Sequence, residues 1–207
     1  MTGGSPTTVR ISRREVIVTA AADLFAQSGY AAVGMDDIGA AAGVTGPAIY
    51  RHFDGKAAVL AAVFDRIIDA VDLVDPVTIV DPVDQIDRVD DASGAAVAAD
   101  LLLQLIGAYA RGVADRRRLM AVFVTQVHHL PPEHAVRLRE RQRVLVRRWR
   151  DLVGRIHPAW PAEQVRTSVH AVFGLLNSVG TFDSPLSDRE LAEQLGGLAA
   201  AALVLAD

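Results

Sequence analysis

Apolar positions recur at helical spacing along most of this chain. Ile17, Ala20, Ala21, Leu24 and Phe25 fall at i, i+3, i+4 intervals and predict a first helix from Ser12 to Ser28-Gly29. Gly29 suits the left-handed position that often follows a helix. Ile38, with Ala41 and Ala42, predicts a short second helix from Met35 to Ala42, with Gly34 at its N-cap. Gly43 ends that helix. Thr45 then reads as the N-cap of a third helix, with Pro47 in the first turn, where a missing N–H costs nothing. This third helix is expected to reach about Phe53. A fourth begins near Gly55-Lys56 and carries Val59, Leu60, Val63, Phe64, Ile67 and Val71.

The stripe then lapses. Residues 72–91 read "DLVDPVTIVDPVDQIDRVDD", with seven aspartates, two prolines and no helical pattern. They predict a linker or extended loop, with a short strand or hairpin at Val77 to Val80 as an alternative inside it. Helical spacing returns at Ala95, where Leu101, Leu105, Ala108 and Tyr109 share a face. A break near Ala114-Asp115 precedes Leu119, Val122, Phe123 and Val127, and Pro131-Pro132 ends that segment. A long helix then carries Leu138, Leu145, Trp149, Leu152 and Ile156. "HPAWP" breaks it. Two last helices place Val165, Val169, Val172, Phe173, Leu176 and Val179, then Leu191, Leu195, Leu198, Ala202 and Leu205. The prediction is an all-α chain of about nine helices, three or four short and five longer, with no internal repeat. Residues 1–9, small and polar, predict a flexible N-terminal arm.

Composition narrows the class. The chain has 207 residues, 51% of them hydrophobic and 5% aromatic, which predicts helices packed through small side chains and excludes disorder. It has no cysteine, so a disulfide framework and a thiolate metal site are excluded and a reducing cytosol is compatible. No uninterrupted apolar run nears the ~18 residues of a transmembrane helix, so no membrane span is expected. Arg13 and Arg14 ahead of "VIVTAAADLFA" imitate a signal peptide, but Glu15 and Asp23 flank and interrupt that short run, which reads instead as an amphipathic helix.

The net charge of −4 argues against a general polyanion binder, yet its distribution is polarised. Residues 57–110 carry two basic and ten acidic side chains, and residues 111–155 carry twelve basic and four acidic. Arg116, Arg117 and Arg118 stand together, and Arg137, Arg139, Arg141, Arg143, Arg147, Arg148 and Arg150 line the long helix. One reading is a solvated face, paired with the Asp-rich segment. The other is an anion site, because the planar guanidinium fork suits phosphate. His128, His129 and His134, with Glu133, suggest a metal, but their spacing matches no metal motif and none is assigned.

The stretch "AAAGVTGPAIYRHF", residues 40–53, fits neither a plain core nor a plain loop. Two short helices joined by a tight glycine turn form a helix-turn-helix. Val44 and Ile49 fill the wedge, and Phe53 packs back on the first helix. The start of the third helix is left exposed, its N–H groups favouring phosphate, ringed by Thr45, Tyr50, Arg51, His52 and Lys56. Such a unit presents its second helix to the major groove. With these features in order, residues 13–65 resemble the DNA-binding region of the TetR/AcrR family of transcriptional regulators. The matching features are Leu24-Phe25, Gly29-Tyr30, Asp37-Ile38, Ala42-Gly43-Val44, Tyr50, Phe53 and Lys56.

The resemblance implies a flexible arm at 1–11, a helix-turn-helix domain at 12–56 and a ligand-binding and dimerisation domain at 57–207. Within the last, it implies a connecting helix at 56–71 and the Asp-rich linker at 72–93. It implies a cytoplasmic regulator with DNA contacts at Thr45, Gly46, Pro47, Tyr50, Arg51, His52 and Lys56. The partner is a pseudo-palindromic double-stranded operator. The last two helices are expected to pair in a homodimer. A small apolar or amphipathic effector, acyl-coenzyme A among the candidates, would release a repressor from DNA. Candidate pocket residues are Tyr109, Phe123, Arg147, Trp149 and Phe173. No cofactor is implied. Three departures stand out: Gly34 and Gly39 soften the second helix, by up to ~1 kcal/mol for Gly39 relative to Ala, and Gly46-Pro47 leaves the third helix poor in long base-reading side chains. The rival classes are a helical interaction protein without DNA and an enzyme. No Gly-rich phosphate loop, Gly-x-Ser-x-Gly or His-Glu-x-x-His supports the enzyme.

Overall fold

The computed structural model describes residues 12–74 and 91–205. Among them there are nine α-helices and no strand. In chain order they are α1 (Arg13–Ala32), α2 (Met35–Ala41), α3 (Gly46–Ile49), α4 (Lys56–Val74), α5 (Asp91–Ala114), α6 (Arg117–Gln126), α7 (Pro132–Ile156), α8 (Ala162–Asn177) and α9 (Asp188–Leu203). Short 3-10 turns follow α6 at Val127–His129 and α8 at Ser178–Gly180. The expected strand or hairpin at Val77 to Val80 lies outside the described residues.

Local chemistry sets the boundaries. Ser12 caps α1 by accepting from the Glu15 amide, while Glu15 accepts from the Ser12 amide at 2.8 Å. Ser187 and Glu190 repeat this reciprocal cap at the start of α9. These bonds hold both glutamates below the usual carboxylate range. The break between α5 and α6 falls at Asp115-Arg116, and the Pro131-Pro132 pair ends the 3-10 turn and opens α7. Gly43, at φ 63°, makes the tight turn after α2.

The structure corrects the sequence reading in four places. First, α1 does not stop at Ser28-Gly29: Gly29 breaks the helix at φ 77°, ψ 156°, and helical backbone resumes to Ala32. Second, α3 is one turn long, ending at Ile49 instead of near Phe53, and residues 50–52 form a turn. Third, helix enters both ends of the expected linker, since α4 reaches Val74 and α5 begins at Asp91, and the rest of that linker lies outside the described residues. Fourth, Ser93–Ala114, at 22 residues, is long and apolar enough to cross a membrane, its most apolar stretch reaching a mean hydropathy of 1.4. Asp100, Gln104 and Arg111 interrupt this run in the sequence. The helix packs against α7 and α9 and buries Ala98, Leu102, Leu105, Ile106, Tyr109 and Val113. A core helix has the same composition as a span.

One continuous apolar core joins the two ends of the chain. Ile17, Phe25, Ile38, Ile49 and Phe64 are closed to solvent at the N-terminal end, as are Leu102, Trp149, Leu152 and Leu176 further along. Burial of each such side chain contributes roughly 1.5–3 kcal/mol. The polar faces of the long helices stay wet, so this core decides how the helices stack.

Candidate nucleic-acid interface and its link to the C-terminal helices

The first three helices are held by Ile17, Ala21 and Phe25 of α1, Ile38 of α2, Ile49 of α3 and Phe53 beyond it, all buried. The Arg14 guanidinium lies over the Phe53 ring, 4.8 Å from its centroid, and ties the start of α1 to the end of the motif. Gly39 has a positive role that the sequence did not reveal. It is buried, and a Cβ there would stand 3.2 Å from the Val44 carbonyl. The absent side chain lets Val44 N donate to Gly39 O at 2.9 Å, which closes the turn. Gly34 sits at the N-cap of α2 as expected, and its N–H donates to Asp37 Oδ2 at 2.8 Å.

This scaffold leaves one edge exposed. Thr45, Pro47, Tyr50, Arg51 and His52 all face solvent, with Tyr50 54% exposed. Gly46 opens α3 between Thr45 and Pro47. Thr45 occupies the N-cap position but makes no side-chain cap bond, so its hydroxyl stays available. Hydroxyl, phenol, guanidinium and imidazole groups are typical donors to phosphate and base edges.

Lys56 is placed differently. Its Nζ donates to the Tyr30 carbonyl at 2.9 Å and approaches the Ala31 carbonyl at 3.5 Å. It also lies 4.4 Å from the Tyr30 ring centroid. In this structure the ammonium satisfies carbonyls left open at the end of α1, a role suited to a cation at a helix C-terminus.

Tyr30 is a junction. Its backbone N–H donates to Gln126 Oε1 at 3.0 Å, and its ring packs on Phe25 at 5.4 Å and on His129 at 4.9 Å. Gln126 ends α6 and His129 ends the 3-10 turn after it, so the C-terminal helices touch the end of α1 at this point. Arg118 of α6 pairs with Asp23 of α1 at 3.0 Å, and Arg137 of α7 approaches Asp65 of α4 at 3.8 Å. The other end of α6 is tied to the loop before α9. Arg117 donates to the Leu186 carbonyl at 2.7 Å and lies 2.8 Å from Asp188. Between these ends the backbone of Gly180 presses on Met120-Ala121, where a Cβ would come within 2.5 Å of main-chain atoms.

The candidate pocket residues divide. Tyr109, Trp149 and Phe173 form one buried aromatic cluster, with centroids 4.6 to 5.9 Å apart. The Tyr109 hydroxyl donates to Asn177 Oδ1 at 2.8 Å, and burial pushes its pKa up to about 12, against the smaller opposing effect of that bond. Trp149 Nε1 is buried without a hydrogen-bond partner. Phe123 lies apart, half-buried against Phe64 at 6.1 Å. Arg147 is exposed, two residues before the fully buried Trp149 and so on the far side of α7. The histidines also separate. His128 and His129 rings meet at 4.0 Å, whereas His134 lines a cleft of about 220 Å³ with Arg14, His52 and Asp65.

Comparison with known proteins accounts for both ends of the chain. Residues 17–63 match the family described as bacterial regulatory proteins, tetR family, and residues 96–203 match the tetracyclin repressor-like C-terminal domain. The chain belongs to the TetR family. It is therefore a DNA-binding transcriptional regulator, and the helix-turn-helix found here is that family's reading head. The HTH-type transcriptional activator FasR of Mycolicibacterium smegmatis is 42% identical over 60 residues. That match spans 29% of this chain and 27% of FasR, so the chain aligns with about a quarter of this curated relative. A bacterial regulatory protein of the tetR family from Rhodococcus RHA1 is 22% identical, with TM-score 0.75, covering 96% of this chain and all of that one. The regulator AibR, solved with isovaleryl coenzyme A and operator DNA, is 16% identical, with TM-score 0.68, covering 90% of this chain and 97% of its own. At these identities the two structures share a fold with this chain.

Proposed function

We propose that this protein is a ligand-responsive TetR-family regulator that binds a pseudo-palindromic operator as a homodimer. The observation that carries the reading is the junction at Tyr30. Its amide, carbonyl and ring are held by Gln126, Lys56 and His129. A displacement of α6 is thus delivered to the end of α1 without passing through solvent. The DNA contacts are assigned to Thr45, Gly46, Pro47, Tyr50, Arg51 and His52. Lys56 acts at the same interface through the position of α1 and α4.

The dimer uses α8 and α9. Their outer faces carry small Ala171, Gly174, Gly197 and Ala201 beside Leu198, which is 48% exposed. Small side chains let two helices approach closely, and an exposed Leu198 among them supports a contact with another chain. A two-fold pair would set two reading heads about one DNA turn, ~34 Å, apart.

The effector is an apolar or amphipathic molecule received near Tyr109, Trp149 and Phe173. The Trp149 indole N–H supports this, being a buried donor in need of an acceptor. Acyl-coenzyme A thioesters are the first class to test, since AibR was solved with one. Ligand and DNA then weaken each other by the same factor. Repression relieved by the effector is the proposed sign, and FasR, an activator, gives the opposite one. A thermal-shift screen against thioesters of several chain lengths, free fatty acids and hydrophobic drugs tests the ligand. Binding to the native state raises the melting temperature by mass action. A rise with thioesters, accompanied by release from DNA, supports the proposal, and DNA affinity unchanged by every ligand that binds contradicts it.

A further inference from the structure

The recognition element is unusual in what it lacks. From Gly43 to Ile49 the sequence is Gly-Val-Thr-Gly-Pro-Ala-Ile, with no amide, carboxylate, ammonium or guanidinium side chain. Ile49 is buried, and Val44 and Ala48 are half-buried. The surface offered by the start of α3 is therefore the hydroxyl and methyl of Thr45, the pyrrolidine ring of Pro47 and the methyl of Ala48. The first residues of the second helix are those that reach base edges in a helix-turn-helix.

The major groove asks for matched chemistry. Guanine is read by paired donors of Arg or Lys, adenine by the amide of Asn or Gln, and cytosine by a carboxylate. None of these groups is present on α3. The one apolar feature on the groove floor is the C5-methyl of thymine. We infer that this head reads its operator through thymine methyl groups, packed against Pro47 and the Thr45 methyl. The inference rests on the DNA-binding reading above and gives it a base preference. Pro47 is well suited to the task, because its ring is fixed at φ and loses little entropy on contact. Thr45 is stiff at χ1, and no cap bond holds its side chain. Arg51 stands exposed beyond α3 in the turn, and guanine read by its guanidinium is the competing outcome that the 7-deazaguanine duplexes below decide.

The test begins with a duplex enriched from a random pool by the full-length protein. Each thymine in it is then replaced by deoxyuridine, which removes only the methyl group. In parallel each guanine is replaced by 7-deazaguanine, which removes the N7 acceptor. The expected result is a loss of about fourfold in affinity at one or two deoxyuridine positions per half-site, the Boltzmann weight of one buried carbon. The 7-deazaguanine duplexes should bind within about twofold of the parent, since bidentate guanine contacts would cost far more. In Pro47→Ala the thymine and uracil duplexes should bind alike at the affected position, while the slope of affinity against salt stays unchanged. Equal binding of thymine and uracil at every position overturns the thymine readout alone. So does a loss above about tenfold with 7-deazaguanine. If the protein enriches no duplex, the DNA-binding reading falls with it.

Discussion

The amide of Tyr30 donates to the side chain of Gln126 at 3.0 Å, across 96 positions of sequence. A single acceptor at the end of α6 thereby fixes the backbone just after the break at Gly29. Replacing Gln126 with Ala leaves that part-buried amide without its partner, at a cost of about 1–2 kcal/mol. The prediction is a lower urea midpoint with unchanged slope and an altered operator affinity, although Gln126 lies outside the DNA-contact edge. Gln126→Glu retains an acceptor oxygen and should behave more nearly like the parent. Parent stability and affinity in Gln126→Ala would remove the junction from the account.

Gly180 admits no side chain. Its missing Cβ would meet Met120 and Ala121 main-chain atoms at 2.5 Å, and main chain cannot rotate away. Gly180→Ala should cost about 1–3 kcal/mol by overpacking and should speed amide exchange along α6. Gly154, where a Cβ meets nothing within 4 Å, provides the contrast on α7, away from the proposed dimer face. Gly154→Ala should leave the exchange pattern of α6 unchanged. Equal behaviour of the two variants in chemical denaturation would contradict the tight contact.

Lys56 and Tyr50 separate support from contact. The Lys56 ammonium closes the end of α1 through the Tyr30 carbonyl and ring, so Lys56→Ala should lower stability by about 1–2 kcal/mol. Tyr50 is exposed, and Tyr50→Ala should stay within about 0.5 kcal/mol of the parent while weakening binding to every duplex. Measuring melting temperature and DNA affinity on both variants checks the division. A stable Lys56→Ala protein with lost DNA binding would return Lys56 to the phosphate contacts.

Tyr109 predicts a pH dependence with a definite sign. Burial raises its pKa from 10.0 to about 12, so the folded state keeps a proton that the unfolded state releases. Stability from this group is complete below pH 10 and is lost as pH rises from 10 to 12, by about 2–3 kcal/mol in all. Tyr109→Phe has no proton to lose, and its stability should be flatter over that window. Parallel curves for parent and variant would contradict the buried phenol.

What the sequence made legible was local. Ile38, Gly43, Ile49 and Phe53 announce the helix-turn-helix because each acts within a few residues of itself, through helical period, a positive φ or a neighbouring helix. The end of α3 was misplaced because Tyr50, Arg51 and His52 are compatible with helix, and only the return of Phe53 to α1 turns the chain there. The bond from Lys56 to the Tyr30 carbonyl was not legible, because that partner lies 26 positions away. Gly39 read as a weakness because helix propensity does not register the Val44 carbonyl, which the turn folds back to 3.2 Å from where a Cβ would stand. The rotation of each C-terminal helix about its axis, which decides what a pocket candidate faces, is a tertiary property. Helix rotation then buried Tyr109, Trp149 and Phe173 together and turned Arg147 to solvent.

The central claim is that the edge from Thr45 to His52 binds specific DNA under the control of the C-terminal helices. Fluorescence anisotropy with an enriched duplex and a scrambled one, titrated over a range of salt, tests it most directly. Two chains should bind each duplex, with a preference of at least about a thousandfold for the enriched sequence and a steep loss of affinity with salt. Tyr50→Ala should weaken binding to both duplexes. Equal affinity for the two duplexes, or binding unaffected by Tyr50→Ala, would contradict it.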